Sequence, residues 1–331
     1  EGGILINSGM GFEAPVYRHN LGKFSSVPLR YLITTQGHVD HVGGVQYFRD
    51  LHPGMCYIAQ AGNAEHQAYD ARLQQFRAAR SAFRFRDDFA RVFRRYAEAG
   101  YTKLNPQDRP TPDITFERRH EFSLGGLEVV LIAVPGAETN DSLVVWLPQH
   151  RIVFTGNLFG CPFGHFPNLV TIRGDRYRDA LTCAAAAQTV LDLGAELLLY
   201  GHHEPVRGAG LIRAELTAYR DAVLHVHDAV VEGMNAGKDL HTLQDEIRIP
   251  PESEVGQGYG KLNWGIRAIW ESYAGWFKHE STTELYSVPQ KAVAIGVGRD
   301  HACARTQDGR VFCWGSARRG AAGLGLPPVR T

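Results

Sequence analysis

Short apolar runs and turn signals alternate through the first two thirds of the chain. Residues 29–34 (L-R-Y-L-I-T) form an apolar run that ends in a polar loop, the pattern of a buried strand. Residues 43–50 read as a short helix and 55–60 as another strand. Residues 64–99 contain no proline. There Phe76, Phe83, Phe89, Phe93 and Tyr96 recur at spacings near three, four and seven, which predicts one long helix. Its many arginines read as a solvated face opposite a core face rather than as a nucleic-acid patch. Strands are predicted over 127–134, 142–147 and 151–154, the last after a P-Q-H turn. Residues 175–193 read as an Ala-rich helix. Residues 196–200 read as a strand running directly into Gly201-His202-His203. From 211 to about 277 the pattern is mainly helical. Strands interleaved with helices, followed by a helical block, predict an α/β domain with an α-helical appendage.

Composition narrows the functions. Hydrophobic residues make up 44% and charged residues 21% of the 331, enough apolar material for a sizeable core. Lys+Arg and Asp+Glu are both 35, so the chain lacks the surplus positive charge of a nucleic-acid binder. No apolar run approaches the roughly 20 residues of a membrane span. No signal peptide is visible, and a cytoplasmic location is the expectation. The sequence opens on Glu1 rather than Met, which leaves its natural start open. The five cysteines are an odd set without C-x-x-C spacing, so neither a disulfide framework nor a cysteine-based zinc site is expected. The 15 histidines are the informative excess, since imidazole is the commonest metal ligand.

One stretch concentrates them. Gln36-Gly37-His38-Val39-Asp40-His41-Val42-Gly43-Gly44 follows directly on the strand at 29–34. A loop after a strand can aim several side chains at one point while the sheet holds it. His38, Asp40 and His41 are ligand types suited to zinc or iron. A polar loop with Asp40 capping a helix would need only one of them; three in four residues favour a metal.

These residues resemble the H-x-H-x-D-H signature of the metallo-β-lactamase superfamily. Ile4-Leu5-Ile6-Asn7-Ser8-Gly9 resembles the family's L-I-D-T-G strand end, and Gly201-His202-His203-Glu204-Pro205 its G-H-x-P loop with the last metal-binding His. Within the superfamily the alkyl sulfatases are the most similar group. Pro135-Gly136-Ala137-Glu138-Thr139-Asn140-Asp141 resembles their P-G-T-E-A-P-x-E, Pro148-Gln149-His150-Arg151 their P-Q-x-R turn, and Asn168-Leu169-Val170-Thr171-Ile172-Arg173-Gly174 their N-L-Y-T-L-R-G. The helical part with Gly258-Tyr259-Gly260 and Tyr273-Ala274-Gly275-Trp276 is similar to their dimerisation region. The likeness covers roughly residues 4–280. It implies an αββα sandwich over 1–210, an α-helical dimerisation region over 211–289, and a homodimer. The tail over 290–331 resembles one blade repeat of a regulator-of-chromosome-condensation propeller, and one blade cannot close a propeller.

By resemblance the metal ligands are Gln36, His38, Asp40, His41, Asp141 and His202. Gln36 stands where the family has its first His, Asp141 is shorter than the family's Glu, and Gly156 (in Thr155-Gly156-Asn157) replaces a second Glu. One zinc held firmly by Asp40, His41 and His202 is therefore expected, with the second site weak or absent. Asn168 and Arg173 match sulfate-contacting positions, although Arg173 suits equally a cap for the helix near 175. Metal-assisted hydrolysis would use Asp40 to orient water and Arg173 to stabilise the oxyanion, on a small-molecule alkyl sulfate. Hydrolysis of another ester, a lactone or a β-lactam, and a non-catalytic metal-binding scaffold, are the alternatives. His203 reads as a partner of His202 or a plain loop residue. Glu65 and His66 follow a predicted strand end and read as surface residues ahead of an active-site role. Phe163 and Phe166, flanking His165, read either as a substrate mouth or as packing on the sheet.

Overall fold

The computed structural model describes residues 2–101, 103–160, 163–171, 174, 178–277, 292–297, 301–307 and 309–315. The chain opens with β1 (Gly3–Ile6), α1 (Ala14–Leu21) and β2 (Leu29–Ile33). The helix expected over 43–50 is α3 (Val45–Leu51), and a single turn absent from the sequence reading, α2 (Val39–Val42), precedes it. They are separated at Gly43-Gly44, where a Cβ on Gly44 would lie 2.7 Å from the Ser8 carbonyl oxygen. After β3 (Cys56–Gln60) the single helix expected over 64–99 is two, α4 (Asn63–Arg72) and α5 (Gln74–Glu98), broken at Leu73. Two strands absent from the sequence reading follow, β4 (Ile114–Phe116) and β5 (Arg119–Leu124). Next come β6 (Leu127–Ala133), β7 (Leu143–Leu147), β8 (Ile152–Gly156), α6 (Ala180–Leu193), β9 (Leu197–Tyr200) and β10 (Val206–Arg207). α6 starts at Ala180, where the Asp179 side chain accepts the Thr182 amide hydrogen and caps the helix. The helical block is α7 (Ala209–Asn235), α8 (Leu240–Glu246) and α9 (Leu262–Ala274).

Two sheets lie between helical layers. The first, in the order β1-β2-β3-β4, is parallel throughout. The second runs β10-β9-β8-β7-β6-β5 and is antiparallel except where β8 pairs with β9. Ile33, Ile58 and Phe116 from the first sheet pack on Val129, Leu131, Leu143 and Val145 from the second. The opposite face of the first sheet, with Leu32 and Tyr57, is covered by Ala14, Val45 and Phe48. The opposite face of the second, with Val144, Trp146 and Val153, meets α6 and α7. A parallel sheet covered on both faces explains why β2 and β3 read as continuous apolar runs rather than alternating ones. The order helix–sheet–sheet–helix is the αββα sandwich expected.

The chain divides into two compact units, Glu1–Trp270 and Glu271–Thr331. In the first, Leu262, Ile266 and Ile269 of α9 are buried in the same core as α6 and α7, so this apolar face is used within the chain. Phe166 is fully buried there too, and Phe163 packs on Phe159 and Tyr200, which places both aromatics in packing. α5 differs: Phe89, Phe93 and Tyr96 seat on Phe12, with ring centroids 5.1–6.4 Å apart, but most of the helix is solvent-exposed. Among the described side chains, the core face expected along it shows most clearly at its C-terminal end. In the second unit, β11 (Ala292–Val297), β12 (His301–Thr306) and β13 (Val311–Gly315) form an antiparallel sheet. Cys303 and Cys313 face each other across β12 and β13 and form a disulfide, contrary to the expectation from cysteine spacing. Register, not a motif, brings the two sulfurs together.

Candidate metal centre

The ends of several strands meet at one edge of the sandwich. The β1 end supplies Asn7, the β2 end the loop from Thr34 to Gly37, and the β8 end Gly156 and Asn157. The β9 end supplies His202, and the segment before β7 supplies Asp141. Two backbone bonds tie these pieces together: the Leu143 amide donates to Thr35 O, and the Gly201 amide to Gly156 O, both at 2.9 Å.

Asp40 and His41 lie on α2, a single turn. His202 reaches them from the other sheet. His41 Nε2 and His202 Nε2 are each 3.5 Å from Asp40 Oδ2. One ligand atom from each of the three residues falls within 4.8 Å of the others. His41 is 3% exposed, whereas Asp40 and His202 are 31% and 38% exposed, so the cluster has a closed back and an open front. Burial holds the His41 pKa below its ordinary value, against the opposing pull of Asp40, and keeps the ring neutral as a ligand must be. Its buried Nε2 has no hydrogen-bond partner among the described residues. An orphaned imidazole nitrogen beside a carboxylate oxygen and a second imidazole fits a transition metal.

The other nitrogen of His41 is orientated from behind. His41 Nδ1 meets Thr35 Oγ1 at 3.2 Å, and Thr35 Oγ1 reaches Asn7 Oδ1, also at 3.2 Å. A chain from Nδ1–H through the hydroxyl to the amide oxygen leaves Nε2 with its lone pair outward. Asn7 adopts φ 61°, a left-handed conformation that Asn tolerates. Ser8 completes the support, its hydroxyl donating to His41 O and accepting the Gly44 amide hydrogen. The sequence showed Asn7 as a strand end and Thr35 as a loop residue; the bonds to His41 were not legible in it.

The remaining expected ligands have other partners. Gln36 Nε2 donates to His38 Nδ1 at 2.6 Å, and Gln36 Oε1 accepts from the Asn157 amide at 3.4 Å. Asp141 is fully buried and accepts from Asn63 Nδ2 and Thr139 Oγ1, both at 2.7 Å. At Gly156 (φ 54°) a Cβ would sit 2.3 Å from Thr35 Oγ1, so Thr35 fills the space a longer side chain would need. His66, expected at the surface, is buried on α4, stacked edge-on to His38 at 5.1 Å and bonded through Nδ1 to Asn140. Glu65 is exposed as expected and accepts from Asn140. His203 is exposed, its ring 6.2 Å from that of Tyr200.

Two residues unnoticed in the sequence flank the open front. Burial raises the Glu13 pKa, opposed by the Met10 amide and reinforced by Asp40. The Tyr17 hydroxyl is pushed up to about 12 by burial and by Glu13 and Asp40. Both come from the 3-10 turn and helix after β1, where nothing in the spacing marks them. Farther along, Asn168 is held by its backbone oxygen to Arg178 Nη1 at 2.9 Å. Arg178 also bonds Glu138 at 2.6 Å and the Tyr259 hydroxyl at 3.0 Å. Arg173 lies outside the described residues.

A family model described as the metallo-beta-lactamase superfamily matches residues 1–202, and one for the regulator of chromosome condensation (RCC1) repeat matches 292–321. The chain is similar to a linear primary-alkylsulfatase of a Pseudomonas strain, 26% identical over 321 residues, spanning 91% of this chain and 60% of that protein. It is similar also to an alkyl/aryl-sulfatase of Saccharomyces cerevisiae, 26% identical over 322 residues, spanning 87% of this chain and 47% of that one. The chain thus spans about half to three fifths of these relatives' lengths. A solved stereoselective inverting sec-alkylsulfatase from Pseudomonas superposes with a TM-score of 0.71 at 22% identity, over 87% of this chain and 49% of that one, which shows a shared fold. Since the family model covers well over half of the residues, the chain belongs to the metallo-β-lactamase superfamily.

Proposed function

We propose that this chain is a metal-dependent hydrolase that cleaves sulfate esters of alkyl chains, with zinc as its metal. The observation that carries the reading is the convergence of Asp40, His41 and His202 on one point with an open front. The sulfatase relatives supply the substrate class. Bound there, zinc would polarise the ester and bring the pKa of water toward neutrality. Asp40 turns Oδ2 to the two imidazoles, and we assign Oδ1 to orienting the attacking water. Arg173 and Asn168 are assigned to the sulfate, because an Arg fork donates two parallel bonds to an oxyanion. Arg178 fixes the Asn168 backbone. Gln36, His38 and Asp141 form a second site that is weak or absent, given the bonds they already make. Residues 211–289 are assigned to a homodimer contact.

The test is turnover by zinc-loaded protein on a panel of alkyl sulfate, phosphate ester, lactone and β-lactam. Sulfate release from the alkyl sulfate is expected, abolished in His202→Ala. Arg173→Ala should keep its zinc and lose about one to two decades in rate, the equivalent of about 1.5–3 kcal/mol for one charge-assisted contact. Turnover confined to another class would reassign the substrate. A zinc-loaded protein inert toward the whole panel would be a scaffold.

A further inference from the structure

The geometry points to Tyr259 as a positioning residue for the sulfate ester, acting through Asn168. The inference rests on the alkyl sulfatase reading and adds to it a residue of the helical part, in the segment that leads into α9. That segment lies along the stretch that ends at Asn168. The Phe166 amide donates to Gly256 O at 2.8 Å and the Gly260 amide to Phe166 O at 2.9 Å. The Gly258 amide donates to His165 Nδ1 at 2.7 Å. The approach is so close that a Cβ on Gly260 would lie 2.1 Å from Pro167 O, and one on Gly160 2.5 Å from Tyr259 Cδ1. Glycine at both places lets the Tyr259 ring reach between two loops.

Between those loops three side chains close a ring of bonds. Arg178 can only donate. Its Nη2 donates to Glu138 Oε1 at 2.6 Å, and its Nη1 to Asn168 O at 2.9 Å and to the Tyr259 hydroxyl at 3.0 Å. The hydroxyl oxygen is therefore an acceptor, and its own hydrogen goes to the Glu138 carboxylate, 3.3 Å from either oxygen. The Arg178 and Glu138 side chains are 2% and 4% exposed, so these bonds are made away from water, where they hold geometry most firmly. The ion pair meets without the hydroxyl; what the hydroxyl adds is direction. It ties the guanidinium to the carboxylate a second time and keeps Nη1 facing the Asn168 backbone. Glu138 lies on the loop that carries Asp141, and Asn168 is assigned to the sulfate. Tyr259 thus fixes the sulfate-facing loop against the loop at the metal edge, and a misplacement of about 1 Å between such groups is enough to be felt in binding and rate.

The test is inorganic sulfate titrated into zinc-loaded full chain by calorimetry, beside steady-state turnover of an alkyl sulfate. Tyr259→Phe keeps the ring and removes the hydroxyl. It should weaken sulfate binding and raise KM about tenfold, with kcat within about threefold and zinc uptake unchanged. A hydroxyl that served the fold alone would lower the active fraction, so that kcat fell at unchanged KM and unchanged sulfate affinity; that result would overturn the proposal. Asn168→Ala should weaken sulfate binding by itself, and adding Tyr259→Phe to it should cost nothing further, because the hydroxyl works through that residue. Additive losses would overturn the proposal and leave the hydrolase reading standing. A wild type that neither binds sulfate nor turns over the ester would overturn the hydrolase reading, and this inference with it.

Discussion

Gln36 Nε2 can only donate, so the 2.6 Å contact makes His38 Nδ1 the acceptor and leaves the imidazole proton on Nε2. That is the nitrogen a metal at the weaker, second site would need. Gln36→His removes this bond and adds an imidazole, so it should raise the zinc stoichiometry measured by calorimetry; an unchanged stoichiometry and affinity would mean that position 36 does not face the metals. His41 gives a pH signature. Burial depresses its pKa in the folded chain, whereas the unfolded chain takes up a proton near the ordinary value of 6.5. The unfolded state therefore binds more protons below that pH, and metal-free protein should lose stability as pH falls through about 6.5. Urea melts at pH 8 and pH 6 would show it, and His41→Gln should flatten the difference. Arg178 and Glu138 form an ion pair with both side chains almost wholly buried. Arg178→Ala removes this cation from a buried carboxylate that keeps the Tyr259 hydroxyl and should cost about 3–5 kcal/mol in the same melts, with Arg178→Lys recovering part of it.

Among the elements, the β8 end couples fold to site. Gly156→Ala would place a Cβ against Thr35 at φ 54°, displacing the hydroxyl that orients His41. A loss of about 1–3 kcal/mol in stability is expected, together with weaker zinc binding, and calorimetry beside denaturation would separate the two. The legible elements were those whose burial is uniform. β3, β7 and β9 are apolar runs between turn residues, and His38-Val39-Asp40-His41 announces itself by density of ligands. β5 was illegible because R-H-E-F-S-L alternates polar and apolar at the edge of its sheet, with no residue fully buried. The break at Leu73 carries no Pro or Gly to mark it. Asn63, His66 and Glu13 reach the site through packing of separate elements, which spacing along a chain does not encode.

At the scale of the whole molecule, the alkyl sulfatase resemblance led to α9 as a dimer contact, yet Leu262, Ile266 and Ile269 are spent on the chain's own core. If residues 211–289 make a homodimer, exposed groups such as Trp264 must carry it. Trp264→Glu should then convert a dimer to a monomer in light scattering, and a monomeric wild type would end the proposal. The Cys303–Cys313 bond predicts that denatured, unreduced protein leaves both cysteines unlabelled by an alkylating agent. No described helix is long and apolar enough to cross a membrane. Everything proposed for catalysis rests on one metal at Asp40, His41 and His202. Zinc titrated into metal-free protein and followed by calorimetry tests that directly. About one tight ion per chain is predicted for the wild type, and no tight ion for His202→Ala. Equal tight binding by both proteins, or none by either, would contradict the account.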